Sequence, residues 1–283
     1  MPNDKILIEK LYHKKGEFAF TNIILSFNIK IGKPKIFDRS FNLELEDLSN
    51  DYYSHRGTFL RKYNVPIGKH PDMYVSSIPI KSCSKKNIVF FIGNVNKYHY
   101  DSPDFQKEWG FPNRYQSFNY AKGINNYFEY KSKDELFEFI NYSEETRLVL
   151  IDNFRLNTYE YYKLLSVSRF FLAMPGIIVP ESHNLLESME YGVIPIIHEK
   201  YANLFSPPLE HNKNSIQYAN LEELEKTVNY AFNLDVEYAD AMKQEVQDYW
   251  RRHFQEKSIV RKIISNEYDQ ICIQAEHGSL NYA

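Results

Sequence analysis

Cysteine is almost absent from this chain, with two residues, Cys83 and Cys272, among 283. Two cysteines so far apart form neither a disulfide framework nor a zinc-ligand spacing. Their scarcity fits a reducing compartment. Long apolar runs are also missing, and none reaches the roughly 18 residues that a membrane-spanning helix needs. The opening MPNDKILIEKLYHKK carries no apolar core of a secretory leader. The net charge is only −3, which excludes a general attraction to nucleic acid or to an anionic membrane. No internal repeat and no low-complexity tract interrupts the chain. These absences predict a cytoplasmic protein with no nucleic-acid partner. Two short basic clusters, 81–86 and 251–253, offer a peripheral contact with the inner face of a membrane, although such clusters are usually just solvated.

What remains is an ordinary globular composition, 43% hydrophobic and 25% charged. The length suffices for one large or two small domains. Aromatics are plentiful, with 23 tyrosines and 20 phenylalanines in a background rich in Asn, Lys and Ile. Aromatic rings stack on sugars and bases, but an A+T-rich coding sequence raises the same residues together and accounts for most of them.

The stretch with the clearest pattern is 169–197, RFFLAMPGIIVPESHNLLESMEYGVIPII. Residues 169–174 form an apolar run of strand length. Pro175, Gly176 and Pro180 break it into a loop. Ser182 is placed to cap a helix that runs to Tyr191 and stops at Gly192. Residues 193–197 are apolar and β-branched, as in an inner strand of a parallel sheet. On the helix Leu185, Leu186 and Met189 share one face, and Asn184, Glu187 and Tyr191 share another. A loop entering a helix favours a phosphate. A carboxylate one turn in can accept hydrogen bonds from sugar hydroxyls. An ordinary βαβ unit with Glu187 solvated is the plain alternative.

Elsewhere, strands are expected at 4–9, 88–92 and 148–151. Helices are expected at 47–60, 132–142 (with Ser132 as cap and Glu135 three residues on), Thr158–Val167, Leu221–Phe232 and 236–254, the last carrying Met242, Val246, Tyr249 and Trp250 on its apolar side. Residues 257–273 are expected to continue helically and 274–283 to fray. Residues 96–119, with Asp101, Asp104, Trp109 and Arg114, read as a long loop after a strand, where ligands commonly sit. The 198–213 segment reads as another such loop, with His198, Glu199 and Tyr201 toward a crevice. His198 and His211 are otherwise expected at the surface.

With these segments in order, the chain resembles exostosin-like glycosyltransferases over roughly residues 85–255. Their strand ending in Cys-Pro-Arg-Gly, helix Ser-x-Arg-Leu-x-Glu-Ala and strand Gly-Cys-Ile-Pro-Val-Ile place Ser182, Leu185, Glu187, Gly192, Pro195 and Ile197 in register. IVFFIGN at 88–94 is similar to their Leu-Phe-Phe-Arg-Gly-Asn strand, and YYKLLSVSRF at 161–170 to a further segment. Three arginines of the pattern are replaced by Ile92, Pro175 and Asn184. Arg114, Lys122, Arg169 and Lys200 are the nearest substitutes for that charge.

The resemblance implies an α/β fold with two Rossmann-like lobes of the GT-B type, parallel sheets and a reduced N-terminal lobe. Its divisions would be 1–82 as the acceptor side, 83–255 as the donor lobe and 256–283 as a C-terminal helix and tail. It implies an inverting, metal-independent transfer of sugar from a nucleotide-sugar donor to a saccharide or glycolipid acceptor, in surface polysaccharide or lipooligosaccharide assembly. No cofactor is implied beyond the donor, which is a substrate. Glu187 would hold donor hydroxyls. Ser182, His183, Asn184, Gly176 and Arg114 would line the donor site. The general base would come from the N-terminal part, where Glu17, Asp51 and His55 are the candidates. A non-catalytic nucleotide- or sugar-binding subunit that needs a partner is the alternative.

Overall fold

A computed structural model describes residues 40–45, 62–69, 73, 84–177, 179–265 and 267–275. Its larger sheet is made from five runs that alternate with helices. They are β3 (Lys86–Ile92), β4 (Arg147–Ile151), β5 (Ser168–Leu172), β6 (Ile194–His198) and β7 (Ile216–Tyr218), and β1 (Ser40–Leu45) and β2 (Lys62–Val65) precede them in the chain. The strand order is β4-β3-β5-β6-β7, and every pairing is parallel. A parallel pair needs a crossover, and helices provide it here, so both faces of the sheet are covered. That is why β5 and β6 are buried at every position. Phe90 and Phe171 meet edge to face with centroids 5.2 Å apart, and Phe91 meets Phe118 in the same way at 5.9 Å. The fold is α/β and Rossmann-like, as the alternation predicts.

Four helices lie between β3 and β4: α1 (Lys97–Tyr100), α2 (Pro103–Trp109), α3 (Arg114–Ala121) and α4 (Lys133–Tyr142). The first three occupy the segment expected as a loop, and that expectation is corrected. Their stops and starts are local. Pro103 sits at the first turn of α2, and Gly110 ends it with φ of 70°. Asn113 opens α3 with a reciprocal capping box to Gln116. The polar surface of these short helices hid their periodicity. Helix α4 begins where expected, with Ser132 Oγ accepting from the Glu135 N–H at 3.3 Å.

Helix α5 (Thr158–Val167) has its own capping box between Asn157 and Glu160. Helix α6 (His183–Glu190) follows β5 and is buried on both faces, Leu185 to Met189 being enclosed throughout. Gly192 ends it at φ 65°, and a Cβ there would stand 2.8 Å from the Lys243 side chain. Beyond β6 come α7 (Glu199–Ala202), which corrects part of the 198–213 loop, then α8 (Leu221–Phe232), α9 (Val236–His253) and α10 (Glu256–Ile264). The apolar side expected for α9 is the buried side, with Met242, Val246, Tyr249 and Trp250 enclosed.

The chain does not continue helically to 273. After α10 it forms β8 (Gln270–Ala275), which inserts between β1 and β2 in a second, three-stranded parallel sheet of order β1-β8-β2. The β-branched Ile271 and Ile273 suit a strand, and Ile271 lies opposite Phe41 and Tyr63. Gln274 and Ala275, expected to fray, belong to β8. Tyr63, Val65, Ile259, Ile263 and Ile271 form a small separate core. The strand read at 4–9 and the helix read at 47–60 lie outside the described residues.

The junction of α9 and α10 carries a titratable pair. His253 packs on Tyr249, with centroids 4.6 Å apart, and its Nδ1 lies 3.3 Å from Lys262 Nζ. Lys262 in turn sits over the Tyr63 ring at 5.3 Å. Burial, then Lys262 and Arg252, push the His253 imidazole down to about 4. The folded state therefore refuses a proton that the unfolded chain accepts near 6.5. This contribution to stability is present above that pH and is lost as pH falls toward 4. Urea unfolding across this window should show a falling midpoint, and His253→Gln should flatten the fall.

Candidate functional site

Strand order reverses between β3 and β5: the chain passes from β3 to β4 on one side, and β5, β6 and β7 extend on the other. At such a switch point the loops leaving the carboxyl ends diverge and open a crevice where ligands bind. Here the two loops are 93–96, after β3, and the segment after β5 and before α6, described at 173–177 and 179–182.

Arg114 occupies this crevice. It is 6% exposed and reaches in from the first turn of α3. Its Nε donates to the Pro175 carbonyl at 2.6 Å and its Nη1 to the Asn94 carbonyl at 3.2 Å, so one guanidinium ties both loops. The Tyr100 ring lies 4.3 Å from it and the Phe91 ring 5.6 Å, both with cation–π geometry. Burial lowers its pKa, opposed by Tyr100 and Tyr201. Among the described residues no carboxylate forms an ion pair with it, and Nη2 makes no hydrogen bond. A buried cation without a counter-charge is costly. The aromatic faces offset part of that cost, and an anion would offset more.

Gly93 makes room for this arrangement. A Cβ there would approach the Phe91 ring at 3.1 Å, and Arg114 Nη1 and Asn184 Nδ2 at 3.5 Å each. Asn184, in the first turn of α6, donates to the Ile92 carbonyl at 2.9 Å. Its Oδ1 is buried and accepts no hydrogen bond among the described residues. Ser182 holds the capping position, but its hydroxyl makes no cap bond; it faces the Met174 carbonyl at 3.5 Å. The N-terminus of α6 therefore keeps its partial positive charge without a side-chain cap, at the rim of the crevice beside Arg114 and the orphaned Asn184 Oδ1. The buried Tyr201 ring lies beside Ser182, and burial pushes its phenol up.

The other expected residues fall into different roles. Gly176 donates its N–H to the Pro180 carbonyl at 3.0 Å, and a Cβ there would collide with the Val179 carbonyl at 2.3 Å. It shapes the loop, with its N–H already committed. His183 Nδ1 donates to the Gly68 carbonyl at 2.6 Å, which pins α6 to the segment after β2. In the same contact zone Glu181 accepts from the Ile67 N–H at 3.4 Å, and Lys69 pairs with Glu190 at 2.9 Å. Glu187 is 3% exposed, so the plain alternative of a solvated carboxylate does not hold. It accepts from the Tyr161 hydroxyl at 3.0 Å. Burial, with Glu187 beside it, holds the Tyr161 phenol well above its ordinary value.

Of the four basic substitutes, only Arg114 reaches the crevice. Lys200 bonds to the Gly110 carbonyl, Lys122 rests on Phe118, and Arg169 sits buried at the opposite, amino end of β5, bonded to the Lys85 carbonyl. His198, expected at the surface, is buried. Its ring stacks on Phe111 at 5.2 Å, and its Nδ1 caps α7. Glu199 beside it is exposed. Glu17, Asp51 and His55 lie outside the described residues. Among the described residues no three His, Cys, Asp or Glu side chains gather to hold a metal ion, and no helix is long and apolar enough to cross a membrane. The sequence reading missed Gly93, Tyr100 and Tyr161. The first had a signal, a glycine directly after a buried strand; the tyrosines had none, since their partners are distant in the chain.

Replacing Arg114 should act on stability and on the crevice together. Arg114→Met leaves the Pro175 and Asn94 carbonyls without their donors, at an expected loss of about 1–3 kcal/mol. Chemical unfolding measures it, and a loss under ~0.5 kcal/mol would show that the loops do not depend on this guanidinium.

No protein-family model matches the chain, and no curated protein matches it. Among solved structures, the N-terminal domain of Candida albicans trehalose-6-phosphate phosphatase is similar at 14% identity and a TM-score of 0.38, over 66% of this chain and 44% of that one. A Glycosylation Associate Protein complex from Streptococcus agalactiae is similar at 18% identity and a TM-score of 0.33, over 66% of this chain and 37% of that one. The chain thus matches less than half the length of either.

Proposed function

We propose that the crevice between β3 and β5 binds the phosphates of a nucleotide sugar, and that the protein is a glycosyltransferase of the exostosin-like, GT-B type. The observation that carries this reading is Arg114, a buried guanidinium that no carboxylate among the described residues pairs with, at the switch point of a parallel sheet. An anionic ligand there meets two favourable features at once: the guanidinium and the uncapped start of α6. Arg114 would take over the role of the three arginines that Ile92, Pro175 and Asn184 replace. Sugar transfer then needs a base for the acceptor hydroxyl and stabilisation of the departing diphosphate. Arg114 and the α6 N-terminus supply the second. The base belongs to Glu17, Asp51 or His55 in this reading. The acceptor would be a saccharide or glycolipid, and the setting surface polysaccharide or lipooligosaccharide assembly in the cytoplasm, at the inner face of the membrane.

A second reading, a binding subunit without catalysis, is favoured by the state of the two buried carboxylates next to the crevice. Glu181 and Glu187 are both already engaged, by the Ile67 N–H and by the Tyr161 hydroxyl. Each is tied into the frame of the protein in this way. In that reading Glu187 orients α6 against α5 rather than holding donor hydroxyls.

A thermal-shift series with nucleoside diphosphates and their sugars tests the site. A ligand at a hundred times its Kd stabilises the folded state by about 2.7 kcal/mol, a readily measured shift. We expect a shift with one nucleotide class, lost in Arg114→Met at matched starting stability. No shift with any of them would overturn the nucleotide reading. Transfer of labelled sugar to a saccharide acceptor then separates the two readings, since a binding subunit shifts without turnover.

A further inference from the structure

A second recess lies at the other end of the sheet, on the outer side of its edge strand. It has a volume of about 330 Å³ and is walled by Phe128, Tyr130, Phe139 and Tyr142, with Glu135, Glu138 and Arg147 as its charged groups. The elements that build it are α4 and the amino end of β4, whereas the crevice lies at the carboxyl ends of β3 and β5. The two are separate sites.

The walls are held by the backbone. The 126–128 segment pairs with the free edge of β4, where Phe128 N–H donates to the Leu148 carbonyl at 3.2 Å and Leu148 N–H to the Asn126 carbonyl at 2.8 Å. Tyr130 packs against Phe128 at 4.9 Å and against Phe139 at 5.5 Å. Tyr130 is buried, while Phe128 is 42% and Tyr142 85% exposed. A hydrophobic ring left that open on each side of a concave surface loses area to water for no gain within the chain. Around the rings the polar groups alternate. Arg147 leans over Phe128 and Phe139 and pairs with Glu145. Glu138 is exposed, and its carboxylate makes no hydrogen bond or ion pair among the described residues.

We propose that this recess binds an uncharged pyranose unit of a saccharide. Such a ring has an apolar C–H face that stacks on aromatic rings and an equatorial girdle of hydroxyls that donate to a carboxylate and accept from a guanidinium. Phe128 and Tyr142 supply the faces, Glu138 the acceptor and Arg147 the donor. Other ligand classes fit worse. An ammonium ligand would meet a like charge, because the Arg147 guanidinium lies over Phe128 and Phe139 on the wall of the recess. A phosphate would meet the carboxylates of Glu135 and Glu138, which also border the recess. The recess goes beyond the nucleotide crevice and does not depend on it: a saccharide chain anchored here is held by a unit other than the one that reacts.

Saturation-transfer difference NMR tests this with the methyl glycosides of glucose, galactose and N-acetylglucosamine, each added alone to the full chain. At least one should give transfer to its ring C–H protons. Binding should weaken about tenfold in Phe128→Ala/Tyr142→Ala, whose exposed rings make the fold insensitive to their removal. Glu138→Gln, which keeps the shape, should weaken it less but measurably. The nucleotide-induced thermal shift should be unchanged in both variants, so a failure of the crevice reading and a failure of this one are read separately. No transfer to any of the three pyranosides overturns the proposal. So does transfer that persists undiminished in the double variant, or binding of tetramethylammonium in place of the sugars.

Discussion

A single buried guanidinium joins the parts of this protein that matter for ligand binding. Arg114 comes from a short helix inserted after β3, yet its hydrogen bonds go to carbonyls after β3 and after β5. Those strands adjoin at the point where the order of the sheet reverses. The loops there would otherwise expose backbone acceptors to a crevice with no regular partner. The guanidinium satisfies them, and the rings of Tyr100 and Phe91 lower the cost of burying its charge.

The surroundings of Arg114 follow from the same constraint. Gly93 suits the place, because a Cβ there would press on the Phe91 ring at 3.1 Å. The loop before α6 has to turn tightly, and Gly176 allows that where a side chain would strike the Val179 carbonyl. Helix α6 is gripped on its far side by the segment after β2, through His183, Glu181 and Glu190. The second sheet is thereby coupled to the helix that borders the crevice. The strand β8 closes this sheet from the C-terminal end of the chain, so residues far apart in sequence stand on one frame.

The alternation of apolar runs and helical periods made the larger sheet readable, because parallel strands covered on both faces must be apolar throughout. The capping residues Ser132 and Ser182 marked helix starts correctly. The three helices at 97–121 escaped notice because they are short and polar outside, and their signals are single caps rather than a period. β8 escaped for another reason. Ile271 and Ile273 lean toward a strand, but so short a run carries no clear period, and pairing with β1 and β2 decides.

For the site, the residue types around 175–187 were legible and their roles were not. Sequence spacing put Glu187 and Asn184 on one helix face and singled out Arg114 as a substitute cation. It could not show that Glu187 is enclosed and held by Tyr161, that His183 serves a neighbouring segment, or that Ser182 leaves its helix uncapped. Those facts depend on contacts 26 and 115 positions apart for Glu187 and His183. The sequence by itself determined the α/β class and the strands β3, β4, β5 and β6, since periodicity is local; it did not mark β7. The crevice, the cation within it and the state of each polar group were decided only by the tertiary structure, because long-range packing alone sets which polar atoms are satisfied and which are left for a ligand.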